Sequence, residues 1–144
     1  MADKTYFGSS VRAGATPSES TDAGHAILVK QVTLQAAGGA TEDAQVVLPA
    51  KSALLDLTFD TTVAHTAATI TLKAGITAGG SEYASSTNIK AAGRIRPTFT
   101  AAQLAAMADT TSNTTVYFQA AAGTPTSTGT TIITVMYRMR ANGE

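Results

Sequence analysis

Much of the chain alternates between hydrophobic and polar residues with the two-residue period of a half-buried β-strand. In residues 55–60, LDLTFD, the two leucines and Phe59 should face one side, and the two aspartates and Thr58 the other. In residues 69–75, TITLKAG, the same period directs Ile70 and Leu72 inward. Both segments predict strands with one face on a core and one face in water.

Five further segments complete the predicted strands, mostly through branched residues and the turn residues around them. They are AILVKQVTL (26–34), AQVVLP (44–49), NIKAAGRIRP (88–97, a short strand or extended stretch), TTVYFQA (114–120) and TTIITVMYRMR (130–140). In the last of these, Ile133, Val135, Tyr137 and Met139 should share one face. A Gly/Pro/Ser/Thr turn joins the last two strands, so we expect them to form a hairpin with a seven-residue connection.

One short helix is predicted, over about residues 100–108. Thr100 and Gln103 have the spacing of a capping box, in which each side chain accepts a hydrogen bond from the other residue's backbone N–H. Phe99, just before the cap, is placed to pack on Leu104. We expect this helix to cover one end of the β-structure.

Seven or eight short strands about ten residues apart, with one helix, favour an all-β fold: an antiparallel β-sandwich or jelly roll. We assign residues 25–144 to this single domain. Residues 1–24 have no sustained period, and we interpret them as an extended N-terminal arm that orders against a partner through Tyr6, Phe7 and Val11. A flexible terminus is the alternative interpretation.

Composition narrows the possible functions. Lys+Arg and Asp+Glu number ten each, so the chain lacks the basic excess of a nucleic-acid-binding protein. It has no cysteine, no run of 18 apolar residues that would predict a membrane span, and no apolar signal-peptide region at its start. It contains 28 alanines and 25 threonines, so its core should be thin, and charged residues are only 14% of the chain. We therefore expect subunit contacts to contribute stability.

The sequence offers little for catalysis or metal binding. The two histidines, His25 and His65, lie outside any nucleophile or zinc motif, and we expect both at the surface or at a sheet edge. Asp56 and Asp60 should share a strand face about 13 Å apart, beyond the usual separation of paired glycosidase carboxylates. No phosphate-binding glycine motif occurs. The predictions are therefore no catalytic residues, no metal and no cofactor.

Four arginines form two pairs of the same spacing. Arg94 and Arg96 should share one strand face, as should Arg138 and Arg140. We expect them to pair with the Asp56/Asp60 face or with carboxylates of a neighbouring subunit, because the guanidinium fork suits bidentate pairing. Binding of nucleic-acid phosphates is the less favoured alternative.

Three segments together resemble small structural proteins of tailed-bacteriophage virions, in particular head decoration (cement) proteins. They are TITLKAGITAGG, GRIRPTFTAAQLAAM and VYFQAAAGTPTSTGTTIITVMYRM. The resemblance implies a β-sandwich or jelly roll, often assembled as a homotrimer. It also implies a place on the outer capsid surface where major capsid proteins meet, after assembly in the host cytoplasm, and no enzymatic activity.

On this hypothesis, the arm and the four arginines contact the major capsid protein or sister subunits. Three alternatives stay open. Another virion component, such as a tail, adaptor or fibre-base module, would have the same composition. A carbohydrate-binding β-sandwich is less favoured, because the chain has no Trp and only four Tyr. An enzyme is the least favoured.

Overall fold

The computed structural model describes residues 25–123 and 127–140. These residues form eight strands and one helix. The strands are β1 (His25–Ala37), β2 (Thr41–Leu48), β3 (Ser52–Val63), β4 (Ile70–Gly75), β5 (Ala84–Asn88), β6 (Gly93–Ile95), β7 (Thr114–Ala122) and β8 (Thr128–Arg140), and the helix is α1 (Ala101–Ala106). The predicted arm, residues 1–24, lies outside the described residues.

The strands form two four-stranded antiparallel sheets. Sheet I has the order β1-β8-β3-β6 and sheet II the order β2-β7-β4-β5. The pairs β1·β8, β2·β7, β3·β6 and β4·β5 are nested, as though one long hairpin had been wrapped around a core. This is the strand order of a jelly roll, so the predicted fold class is confirmed.

The core lies between the two sheets and follows the predicted alternation. Sheet I contributes Leu57, Phe59, Ile133 and Val135, and sheet II contributes Ile70, Leu72, Val116 and Phe118; all eight are fully buried. Asp56, Asp60 and Lys73, on the opposite faces of the strands, are only half-buried. The two-residue period therefore predicted the inward faces of β4, of β8 and of β3 from Leu57 onward.

The predicted hairpin between the last two strands is wrong. β7 lies in sheet II between β2 and β4, whereas β8 lies in sheet I between β1 and β3. The chain therefore passes from sheet II to sheet I between β7 and β8. Both strands bury one face in the same core, so their local pattern is the same as that of a hairpin.

The predicted direction of Leu55 is also wrong. The β3–β8 register shifts between Leu54 and Asp56, which inserts one extra residue into β3. Because of this bulge, Leu54 points into the core and Leu55 is 38% exposed. The alternation that begins at Leu57 is as predicted.

The helix is confirmed, with both hydrogen bonds of its capping box. Gln103 N–H donates to Thr100 Oγ1 at 3.2 Å, and Thr100 N–H donates to Gln103 Oε1 at 2.9 Å. Gln103 is buried, and its Nε2 donates to Ser81 O and Ser85 Oγ, each at 3.0 Å. Leu104, the expected partner of Phe99, stays 55% exposed. Gln103 therefore anchors the helix over the start of β5.

Candidate interaction surface

Three of the predicted interface arginines lie on one surface, the outer face of sheet I. Ile95 pairs with the buried Phe59, so its neighbours Arg94 and Arg96 point away from the core. Arg138 alternates with the buried Tyr137 on β8 and also points outward. The side chain of Arg140, and residues Tyr6, Phe7 and Val11, lie outside the described residues.

Arg94 forms an ion pair with Asp60, directly opposite on β3. Its Nε donates to Oδ1 at 2.5 Å and its Nη2 to Oδ2 at 3.3 Å, which is a bidentate contact. This hydrogen bond and the charge of the carboxylate raise the pKa of Arg94 above its ordinary value. The Arg94 side chain is 75% exposed, so much of the guanidinium faces solvent.

Arg96 pairs diagonally with Asp56, one step further along the same face. Its Nε lies 2.8 Å from both carboxylate oxygens. The guanidinium also lies over the ring of Phe99, with 5.9 Å from Cζ to the ring centroid, within cation–π range. The predicted pairing of Arg94 and Arg96 with the Asp56/Asp60 face is therefore present within one chain.

Arg138 has a different partner. Its Nη2 donates to Asp109 Oδ1 at 2.8 Å. Asp109 lies in the segment after the helix, which runs beside the start of β3: Thr110 N–H donates to Ser52 O and Lys51 N–H donates to Thr110 O. The Arg138–Asp109 pair therefore ties this segment to the outer face of sheet I.

Beside these ion pairs lies an apolar patch that sequence reasoning missed. The patch crosses three strands. Val29 on β1 is directly opposite Met136 on β8. Met136 is in turn opposite Asp56 on β3, and Leu55 is the residue before Asp56. Ile27, two residues before Val29, is 68% exposed, and Val29 is 54% exposed. The signal was present: residues 26–29, AILV, form an apolar run without the alternation of a strand that has a solvent face.

His65 is buried, so the prediction of a surface or sheet-edge position is wrong for this residue. His65 is the first donor in a series of hydrogen bonds whose donors and acceptors are fixed by the last acceptor, a backbone carbonyl. Thr61 Oγ1 donates to Ile89 O at 3.0 Å, so Thr131 Oγ1 must donate to Thr61 Oγ1, also at 3.0 Å. His65 Nε2 must then donate to Thr131 Oγ1, at 2.9 Å.

This series of hydrogen bonds identifies the tautomer and the role of His65. With the proton on Nε2, the buried Nδ1 is unprotonated, and it has no hydrogen-bond partner. Burial lowers the pKa of His65 below its ordinary 6.5. A catalytic triad would instead place a carboxylate at Nδ1. The hydrogen bonds of His65, Thr131 and Thr61 therefore have a structural role: they connect β3, β8 and the residues after β5.

Among the described residues, no group of three or more His, Asp or Glu side chains is placed to hold a metal ion. In the same part of the chain, no helix is long and apolar enough to cross a membrane.

The strand order defines a jelly-roll protein, and the ion pairs and the apolar patch lie together on the outer face of its sheet I. No protein-family model and no curated protein sequence matches the chain. Two solved structures share its fold. A chain in the capsid of Ralstonia phage GP4 has a TM-score of 0.61 and 19% identity, covering 93% of this chain and 94% of the other. A chain in the capsid asymmetric unit of cyanophage Pam1 has a TM-score of 0.54 and 22% identity, covering 92% and 96%.

Proposed function

We propose that this protein is a non-enzymatic structural component of a phage virion, and that it decorates the outer surface of the head at joints between major capsid proteins. The observation that carries the proposal is the extent of the fold similarity. It covers more than nine-tenths of this chain and of each matched chain, and both matched chains come from phage capsid structures. The resemblance noted in the sequence supports the same role.

The outer face of sheet I suits adhesion to a large protein surface. Arg94 and Arg96 are held in position by Asp60 and Asp56, yet their side chains are 75% and 64% exposed. An arginine has five N–H donors, and each of these pairs uses only part of them. Rigid donors beside an apolar patch combine the polar and apolar contacts of a specific protein interface.

The test is binding to phage heads assembled without this protein. We expect the wild-type chain to sediment with the heads and to occupy sites between capsid proteins in particle images. An Arg94→Ala/Arg96→Ala double variant should bind at least tenfold more weakly, because it removes the exposed donors while the fully buried side chains between the two sheets stay the same. Lys73→Ala is the matched control, since Lys73 lies on the outer face of sheet II. Equal binding by the double variant and the wild type would remove the arginines from the interface.

The N-terminal arm is a separate part of the proposal. If Tyr6, Phe7 and Val11 contact capsid protein, deletion of residues 1–24 should weaken head binding and leave the circular dichroism spectrum of the β-domain unchanged. Unchanged head occupancy after the deletion would contradict the role of the arm. The homotrimer is an expectation from the resemblance alone: a solution mass of three chains would support it, and a mass of two chains would contradict it.

Another virion component is the second candidate. The matched structures are described as capsids, which favours the head over a tail, adaptor or fibre base. Location in an intact particle separates these positions, because a head protein follows the symmetry of the shell and a tail protein does not. Specific binding on a glycan array would instead support the carbohydrate-binding alternative.

A further inference from the structure

The first half of β1 is an exposed apolar sheet edge. β1 is the outermost strand of sheet I, and of the described residues only those of β8 pair with it. Residues 26–31 are exposed on both faces of the strand, with Ile27 and Val29 on the outer face and Leu28 on the inner one. Exposed apolar edges are unusual in proteins that act alone, because they invite pairing with another strand.

The backbone of this edge is oriented for such pairing. Gly38 N–H donates to Ser127 O at 2.9 Å, in continuation of the β1–β8 register. Hydrogen-bonded and non-bonded pairs alternate along an antiparallel ladder, so the even-numbered residues of β1 bond to β8. The N–H and C=O groups of Ile27, Val29 and Gln31 therefore point to the free edge.

We propose that this edge pairs with the same edge of a second copy, antiparallel about a two-fold axis at Leu28. The two sheets I then form one continuous eight-stranded sheet. Ile27 lies opposite the partner subunit's Val29, on the same outer face, and Leu28 lies opposite the partner subunit's Leu28. A two-fold axis one residue later would place Ile27 against Gln31, and one residue earlier would place Val29 against His25. Only the axis at Leu28 gives Ile27, Leu28 and Val29 apolar partners throughout.

Two observations favour a second copy over another strand of the molecule. The other sheet edges in the described residues are shorter: β2 has 8 residues, β5 has 5 and β6 has 3, against 13 in β1. The one lysine or arginine in His25–Gln31 is Lys30, whose Nζ already donates to Val47 O on β2 at 2.7 Å. With the axis at Leu28, Lys30 lies opposite an alanine, the partner subunit's Ala26, so no two lysines face each other across the axis. Of the described edges, a second β1 therefore matches β1 best in length and polarity.

The experiment measures mass in solution by sedimentation equilibrium, without any capsid, so it is independent of the proposed virion role. The wild-type protein should have twice the 14.6 kDa of the chain. Val29→Lys should halve that mass, because it places a charge in the apolar row. Val63→Lys is the matched control: Val63 is 57% exposed, near the other end of sheet I, and its variant should keep the wild-type mass.

A backbone variant tests the hydrogen bonds separately. Val29→Pro removes an N–H that points to the free edge and spares the bonds to β8, so it should also halve the mass with an unchanged circular dichroism spectrum. A monomeric wild-type protein, a mass of three chains, or a Val29→Lys variant with the wild-type mass would each overturn the two-fold pairing.

Discussion

Gly129 lies directly against the imidazole ring of His65. A Cβ added at Gly129 would lie 2.5 Å from His65 Nδ1 and 2.9 Å from its Cα, both closer than real Cβ contacts. The backbone at Gly129 has φ +150°, which L side chains rarely adopt. This glycine therefore allows β8 to pass close to the buried histidine.

Gly129→Ala should destabilise the protein by more than backbone strain alone. Gly93 provides the matched control, because it has φ +140° and nothing within 4 Å of its added Cβ. Backbone strain of this kind costs on the order of 1–3 kcal/mol. We expect Gly129→Ala to exceed Gly93→Ala by about 2 kcal/mol in the free energy of unfolding measured with urea. Equal losses would show that His65 moves aside without cost.

The hydrogen-bond chain at His65 predicts a pH dependence of stability. The folded state favours neutral His65, because burial lowers its pKa below the ordinary 6.5. Between the folded pKa and 6.5, the unfolded chain therefore binds more protons than the folded one. The contribution of His65 to stability is complete above pH 6.5 and is lost as the pH falls from 6.5 through the folded pKa.

Urea unfolding between pH 5 and 8 measures this effect. The slope attributable to His65 cannot exceed about 1.4 kcal/mol per pH unit, the limit for one proton. His65→Gln should be less stable at pH 8 but should lose less stability than the wild type on acidification. Parallel pH profiles for the two proteins would exclude His65 as the titrating group.

Local alternation predicted most of the strands and the core faces, because burial on one side leaves a two-residue period in the sequence. It could not predict which strands pair. The strands β7 and β8 are adjacent in the chain, but each pairs with strands far away in sequence, and nothing in their own residues distinguishes the two sheets. The bulge at Leu55 was equally hidden, since it depends on the register with β8.

The contacts of the candidate site likewise include some that the sequence could predict and some that it could not. The pairing of Arg94 and Arg96 with aspartates was predictable, because spacing alone put each pair of charges on one strand face. The partner of Arg138 was not, because Asp109 reaches it only through the path of the chain after the helix. Burial of His65 also depends on distant residues, including Thr131 and Gly129 on β8.

Phe118→Ala should be severely destabilising. Phe118 is fully buried at the centre of sheet II, and together with Phe59 it is the largest of the fully buried side chains described. Truncation of a buried Phe costs about 3–5 kcal/mol, a large part of the roughly 5–15 kcal/mol that stabilises a typical domain. Leu104→Ala, at a 55% exposed position, should change the unfolding free energy by less than about 0.5 kcal/mol. A small effect at Phe118 would mean that neighbouring side chains collapse into the space.

Gln103 joins two functions that substitutions can separate. Its Oε1 caps the helix by accepting from Thr100 N–H, and its Nε2 donates to Ser81 O and Ser85 Oγ beside β5. Gln103→Glu keeps the acceptor but loses the donor, and it places a carboxylate against the carbonyl of Ser81. Thr100→Ala removes only the cap hydroxyl.

We expect Thr100→Ala to cost about 1 kcal/mol in unfolding free energy. Gln103→Glu should cost about 1–3 kcal/mol, because it replaces two donated hydrogen bonds with a buried carboxylate that faces the carbonyl of Ser81. Amide hydrogen exchange should localise the two effects. Thr100→Ala should increase exchange in the first turn of the helix, whereas Gln103→Glu should also increase it across Ala84–Asn88. Protection of β5 that is unchanged in Gln103→Glu would show that the helix and this strand are held together by other contacts.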